Sequence, residues 1–263
     1  MEDQQVSTID LQWFKDYTIN KKKTKTYIPT NYMLLDSYID GLYGGCLYLI
    51  GARPGIGKTT FVLNLLSKQK GKKCLVFTTE TSKEKFLEKF LSLVLHLEYK
   101  NLRQNLIETT TLFNDLECLK AYNIYLVDCY KPTVKQIEDK VKEILPDILI
   151  IDYFQNVRIQ SQMYKYQEYT NNVENIFNIS RNYNIPVILC SQLKRFSENR
   201  KDDEPELSDF KETGKLEETA HAVMLLHQTD GRLVCSLAKN RDGQIGELKF
   251  KGLWQYNKLE ETL

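Results

Sequence analysis

Leu47-Tyr48-Leu49-Ile50-Gly51-Ala52-Arg53-Pro54-Gly55-Ile56-Gly57-Lys58-Thr59-Thr60-Phe61 is the stretch that decides the fold class. Its first four residues are an apolar run of strand length, and Phe61, Leu65 and Leu66 open the apolar face of a helix. A glycine-rich loop joins the two. Such a loop leaves backbone N–H groups free to converge on phosphate, and the helix N-terminus adds the positive end of its dipole. The pattern G-x-x-x-x-G-K-[ST] is met except at its first position, where Ala52 stands. Ala52, Arg53, Pro54, Gly55, Ile56, Gly57, Lys58, Thr59 and Thr60 are therefore the candidate nucleotide-binding residues of a P-loop nucleoside triphosphatase. Lys58 is placed to neutralise the β- and γ-phosphates. The Thr59 hydroxyl is placed to ligate Mg²⁺, a hard cation that takes oxygen donors.

Outward from this loop, apolar runs of strand length alternate with amphipathic helical patterns. That is the signature of a mostly parallel sheet covered on both faces, a three-layer αβα fold. The expected strands are Leu47 to Ile50, Cys74 to Thr78, Ile124 to Val127, Ile148 to Ile151, Val187 to Cys190, Val223 to Leu226 and Leu233 to Ala238. Helices are expected over Lys83 to Leu97, capped from Thr81 to Glu84, over Thr133 to Leu145, capped from Thr133 to Gln136, and over Tyr169 to Tyr183. His96 falls within the apolar pattern of the first. Asp152 ends the run Ile148-Leu149-Ile150-Ile151, where a P-loop enzyme needs a carboxylate facing its metal. Glu80 follows another strand, where ligand-facing residues of a parallel sheet sit; taken alone, it is equally an acid at a helix start.

Bulk properties narrow the partners. With 36 basic and 35 acidic residues the net charge is +1, so any hold on nucleic acid comes from local patches. No apolar stretch approaches the ~18 residues of a membrane span, and residues 1–10 lack a signal-peptide pattern, so a cytoplasmic protein without a membrane partner is expected. Six scattered cysteines without a C-x-x-C pair read as reduced core residues. The histidines at 96, 221 and 227 show no ligand spacing, and no metal site made by the protein alone is expected. Residues 1–26 are polar, end in a lysine run and offer Leu11, Trp13, Phe14 and Tyr17 as anchors: a polar arm or a linker helix ahead of a domain over 27–263.

Several segments resemble the motor domain of the DnaB family of replicative, ring-forming DNA helicases, which has a RecA-like fold. The resemblance begins near Ile28-Pro29-Thr30 and runs to about Tyr256. Its segments are Gly51-Ala52-Arg53-Pro54 through Thr59, Phe77-Thr78-Thr79-Glu80-Thr81-Ser82, Ile151-Asp152-Tyr153-Phe154-Gln155 and Cys190-Ser191-Gln192-Leu193-Lys194-Arg195. It implies Glu80 as catalytic base, Asp152 as the Mg²⁺ carboxylate beside Thr59, and Gln192 as sensor of the γ-phosphate. Leu207 to Gly214 resembles the loop that grips single-stranded DNA through Lys211, Glu212 and Gly214, with Lys211 where arginine is usual. Ala238-Lys239-Asn240-Arg241-Asp242-Gly243 resembles the strand and turn that reach a neighbouring subunit's site with Lys239 and Arg241. Without the resemblance this segment reads as a β-turn with surface charges.

The resemblance further implies ATP as nucleotide, a hexameric homo-oligomer with shared sites, single-stranded DNA as partner, and a helicase, loader or primase as further partner. Two departures stand out. Thr219 and His221 replace aspartates, and only residues 1–26 precede the motor where the family carries a helical domain. The latter keeps a second function in view: a loader, adaptor or mixed-ring ATPase without unwinding activity of its own.

Overall fold

The computed structural model describes residues 27–104, 106, 116–159, 163–194, 204–210 and 214–262. The arm expected over 1–26 lies outside the described residues. A short antiparallel pair comes first, β1 (Tyr27–Ile28) and β2 (Leu42–Tyr43), with helix α1 (Met33–Ile39) between them. Asp36 fastens this segment: its Oδ1 accepts from the Thr30 N–H at 2.8 Å and the Thr30 hydroxyl at 2.7 Å, and its Oδ2 accepts from the Asn31 N–H.

Nine further strands make one sheet. They are β3 (Leu47–Ala52), β4 (Lys73–Thr78), β5 (Asn123–Asp128), β6 (Ile148–Asp152), β7 (Val187–Gln192), β8 (Ala222–Thr229), β9 (Arg232–Asn240), β10 (Gly246–Leu253) and β11 (Lys258–Thr262). Across the sheet their order is β11-β10-β9-β8-β3-β7-β6-β4-β5. From β8 to β5 the pairing is parallel, and from β8 to β11 it is antiparallel. The seven expected strands are all present, and most run one to three residues longer. The expectation omits β1, β2, β10 and β11.

Because side chains alternate across a strand, a run buried on both faces must be apolar throughout. Tyr48 and Ile50 of β3, with Ile148 and Ile150 of β6, join one core; Leu47, Leu49, Leu149 and Ile151 join the other. The first core is roofed by α1, α2 (Lys58–Ser67) and α3 (Lys83–Val94), and α4 (Tyr99–Arg103) follows α3. The second is covered by α5 (Val134–Ile144), α6 (Lys165–Asn182) and the short α7 (Lys215–Thr219). Helix α2 is buried at six consecutive positions, Phe61 to Leu66. Asn64 is one of them, and its amide donates to the Thr60 and Asn257 carbonyls at 2.8 and 2.7 Å and accepts from the Leu259 N–H at 2.8 Å.

Three local expectations need correcting. Helix α3 is capped by Ser82, one residue later than expected, whose hydroxyl accepts from the Lys85 N–H. His96 lies past that helix at φ +57°, stacked on Tyr256 with ring centres 4.1 Å apart. Cys118 is exposed, so it is no core residue, whereas Cys74, Cys190 and Cys235 are buried. The capping box of Thr133 and Gln136 on α5 forms as expected. The parallel arrangement brings the C-terminal ends of β3, β4, β6 and β7 to one edge of the sheet, where ligands of such folds bind.

Candidate nucleotide site

The glycine-rich loop leaves β3 at Ala52, which pairs in register with Gln192 of β7. Gly55 and Gly57 hold φ of +80° and +116°, a region open to glycine and strained for other residues. Gly57 leads directly into α2, which has no side-chain N-cap, so the amides of its first turn are left for an anion. Beside this turn the Thr59 hydroxyl donates to Asp152 Oδ2 at 2.6 Å. Asp152 is 6% exposed, and burial pushes its carboxyl up, offset in part by the Thr59 hydrogen bond and the Lys58 charge. A buried carboxylate with a hydroxyl at its side is an oxygen donor pair that suits a hard divalent cation. Thr59 and Asp152 thus fit Mg²⁺.

A lattice of amides and hydroxyls ties the strand ends behind them. The Thr79 N–H donates to the Asp152 carbonyl at 2.9 Å, and the Tyr153 N–H donates to the Thr79 hydroxyl at 3.0 Å. Gln155 donates to the Ser191 hydroxyl and the Gln192 carbonyl, both at 2.9 Å, and accepts from the Gln192 N–H at 3.0 Å. Asn156 donates to the Thr79 carbonyl at 3.0 Å. These contacts fix where Glu80 and Gln192 leave their strands. Glu80 is exposed and lies close enough to Tyr153 to help burial raise its phenol pKa, while Lys58 Nζ lies 5.9 Å from that ring's centre. Loop, Lys58, Thr59, Glu80, Asp152 and Gln192 therefore share one edge.

Sequence reasoning assigns no role to Thr79, Gln155 and Asn156, although Thr79 and Gln155 stand inside quoted segments; polar residues just past strand ends are the available signal. It also misses Trp254. This indole is 40% exposed, and one ring carbon lies 3.8 Å from where a Cβ on Gly57 would stand.

Lys239 and Arg241 are elsewhere. Val223 pairs with both Lys239 and Leu49, and the Arg241 N–H donates to the His221 carbonyl, so Lys239 is level with the middle of β3 and Arg241 with its beginning. At about 3.3 Å per residue, Ala52 is roughly 10 Å from the level of Leu49 and roughly 16 Å from that of Leu47. Lys239 Nζ donates to the Glu217 carbonyl and, at 3.0 Å, to that of Glu218; Arg241 Nη2 donates to the Glu218 carbonyl at 2.6 Å. His221, held toward its neutral form by burial, has its Nε2 3.7 Å from Asp242 Oδ2.

Lys211 and Glu212 lie outside the described residues. Gly214 is exposed and opens α7. The segment before Lys211 is fastened: Leu193 bridges to Phe210, and the Lys194 N–H donates to the Asp209 carbonyl at 2.9 Å. The Phe210 ring packs so closely on Gly51 that a Cβ there would meet it, and Leu225, at 2.9 Å.

A family model described as the DnaB-like helicase C-terminal domain matches residues 27–261. A probable replicative DNA helicase of Trieres chinensis is 30% identical over 249 residues, which cover 85% of this chain and 55% of that protein. The replicative DNA helicase DnaC of Bacillus subtilis (strain 168) is 28% identical over 260 residues, 91% of this chain and 57% of that protein. The chain thus spans little more than half the length of these relatives. Among solved structures, one described as an ATPase domain matches with a TM-score of 0.86 at 21% identity, over 97% of this chain and 99% of that one. A DnaB-like replicative helicase, solved in connection with its interactions with primase, matches with a TM-score of 0.82 at 22% identity, over 98% and 68%. The fold is the RecA-like, three-layer α/β fold of these ATPase domains.

Proposed function

The chain belongs to the family of DnaB-like helicase C-terminal domains, and from that premise we propose that it is an ATP-hydrolysing motor which encircles single-stranded DNA as a hexameric ring of its own copies. The observation that carries this reading is the contact of Thr59 with Asp152, 2.6 Å long, beside an uncapped helix N-terminus. An anion-binding helix start beside an oxygen donor pair supports a place for a triphosphate with its cation.

In this reading Lys58 and the amides around Gly57 hold the β- and γ-phosphates, and Thr59 and Asp152 hold Mg²⁺, which when bound draws charge from the phosphate oxygens. Glu80, exposed at the same edge, orients the attacking water and accepts its proton. Gln192 senses the γ-phosphate. Its movement passes through Leu193 and Lys194 to Asp209 and Phe210, and so to Lys211, Glu212 and Gly214, which track the DNA backbone without reading sequence.

Lys239 and Arg241, remote from their own loop, complete the site of a neighbouring copy and stabilise charge that develops there. The anchors Leu11, Trp13, Phe14 and Tyr17 dock on an adjacent copy, where an apolar groove lined by Phe86, Leu87, Phe90 and Tyr122 offers a surface. A loader or a primase is the further partner, in line with the structural relative studied with primase.

A strand-displacement assay on a forked duplex with ATP, run beside Lys58→Ala, tests the reading. ATP-dependent displacement, absent in the variant and weakening with salt, supports it. DNA-stimulated hydrolysis without displacement would instead make the chain an adaptor or loader ATPase.

A further inference from the structure

We propose that Glu204, His227 and Glu247 form a second metal site, one that takes a borderline divalent ion such as Zn²⁺ and is separate from the magnesium of the nucleotide site. Each offers one ligand atom, and the three atoms lie within 4.8 Å of one another. They come from three places in the fold. His227 is near the end of β8, Glu247 is on β10, and Glu204 is in the stretch leading to the turn Leu207–Asp209. No spacing in the sequence could have joined them.

Two clustered carboxylates would not by themselves indicate a site, since exposed acids are commonly just solvated. The histidine supplies the independent observation. His227 is 7% exposed, lines the same cavity of about 360 Å³ as both glutamates, and has its Nδ1 buried with no hydrogen-bond partner. Buried polar atoms are seldom left unmatched, and an imidazole with a ring nitrogen within 4.8 Å of both carboxylate ligand atoms matches a cation better than it matches solvent.

Arg232 and Lys249 line the cavity too, yet among the described residues neither forms an ion pair with the glutamates. Glu247 is steadied by the Ser236 hydroxyl, which donates to its Oε1 at 3.3 Å.

One imidazole and two carboxylates favour Zn²⁺ over Mg²⁺ or Ca²⁺, whose preferred shells are all oxygen, and three protein ligands leave a fourth position for water. A bound ion would tie Glu204 to β8 and β10. It would thereby fix the chain running into Asp209 and Phe210, the stretch that fastens the start of the 211–214 segment.

The test uses the whole chain, stripped with chelator and free of nucleotide. Zn²⁺ is titrated against a chromophoric competitor for wild type, Lys58→Ala, and the double variant Glu204→Gln with Glu247→Gln. Both glutamates are exposed, so folding should survive and is checked by circular dichroism. The expected result is about one equivalent for wild type and Lys58→Ala, with affinity lower by at least roughly 100-fold in the double variant. Co²⁺ in place of Zn²⁺ should give the visible bands of a low-coordinate ion only where both glutamates are present. A double variant that binds like wild type, for instance through Cys118, overturns the proposal, as does a wild type that takes no zinc from the competitor.

Discussion

The two ends of β3 are prepared for different kinds of company. At the Ala52 end the groups behind the loop are tied within the chain, Thr59 by Asp152, the Gln192 backbone by Gln155 and Thr79 by its links to β6, while the first-turn amides of α2 stay open. Toward the Leu47 end two cations gather, and among the described residues neither has a carboxylate partner; Lys239 and Arg241 rest on the carbonyls of Glu217 and Glu218. A hydrogen bond from a cation to a neutral carbonyl is weaker than a bidentate ion pair, so leaving it costs less. The loop end is braced around one buried acid, Asp152, with Lys58 close enough for its charge to act on that carboxyl. The end that carries Lys239 and Arg241 keeps its charge on neutral carbonyls.

The same contrast bears on Thr219 and His221, where the family resemblance leads one to expect aspartates. His221 is largely buried and inclined to stay neutral beside Lys239 and Arg241, so it leaves them without a fixed counter-charge.

The harshest test separates the ends by mixing. Lys58→Ala should retain little hydrolysis because its own cradle is broken, and Arg241→Ala should lose about 10³-fold or more in phosphate release while nucleotide binding persists. Combined, the two inactive proteins should recover part of the activity, because some interfaces pair an intact loop with an intact finger. No recovery, together with full activity of Arg241→Ala, would break the comparison outright.

A smaller effect is expected from Gln155→Ala, which removes the side chain that holds the end of β7. Turnover should fall by roughly 10- to 100-fold through misplacement of Gln192, with KM for ATP nearly unchanged. A matching loss in KM would mean that Gln155 serves the loop itself.

Asp152→Asn sharpens the contrast from the side of stability. Removing a buried charge should stabilise the nucleotide-free protein by about 1–2 kcal/mol in urea unfolding, while Mg²⁺-dependent hydrolysis is lost. The pH dependence has a definite sign. Because burial raises the folded carboxyl above its ordinary value, folding takes up a proton between the two values. The group's contribution is therefore fully present below the ordinary carboxylate value and is lost as pH rises through the raised one. The variant should lack that decline.

The mildest change is Thr133→Ala, which removes the capping box of α5 and should cost ~1 kcal/mol without altering the kinetics of either end. A kinetic defect there would show that α5 couples to the site.

Much of this architecture is legible in the chain because a parallel strand buried on both faces must spell itself as an unbroken apolar run, as Ile148 to Ile151 does. Strand ends are harder to read. Gly51, Ser191 and Gln192 continue their strands with small or polar residues whose environment comes from neighbouring strands, not from local pattern. β10 hides Leu248 and Phe250 among Lys249 and Lys251, an alternation with a charged outer face that a search for apolar runs passes over. The nucleotide loop, Lys58, Thr59 and Asp152 announce themselves by type and spacing. That Lys239 and Arg241 lie away from that loop does not, because it depends on β9 running back against β8. Nor does the trio of Glu204, His227 and Glu247, assembled from elements that meet only after folding.

Asn64 sets a timetable. Its partners at Asn257 and Leu259 lie 193 and 195 residues further along the chain, so they are synthesised long after the helix that carries it. Until the ribosome releases those residues, the amide behind the phosphate loop lacks two of its three bonds, and a buried amide so deprived costs about 1–3 kcal/mol. A nascent chain can therefore display the whole loop and still hold it loosely, so that the back of the nucleotide cradle closes only well after its front has been made.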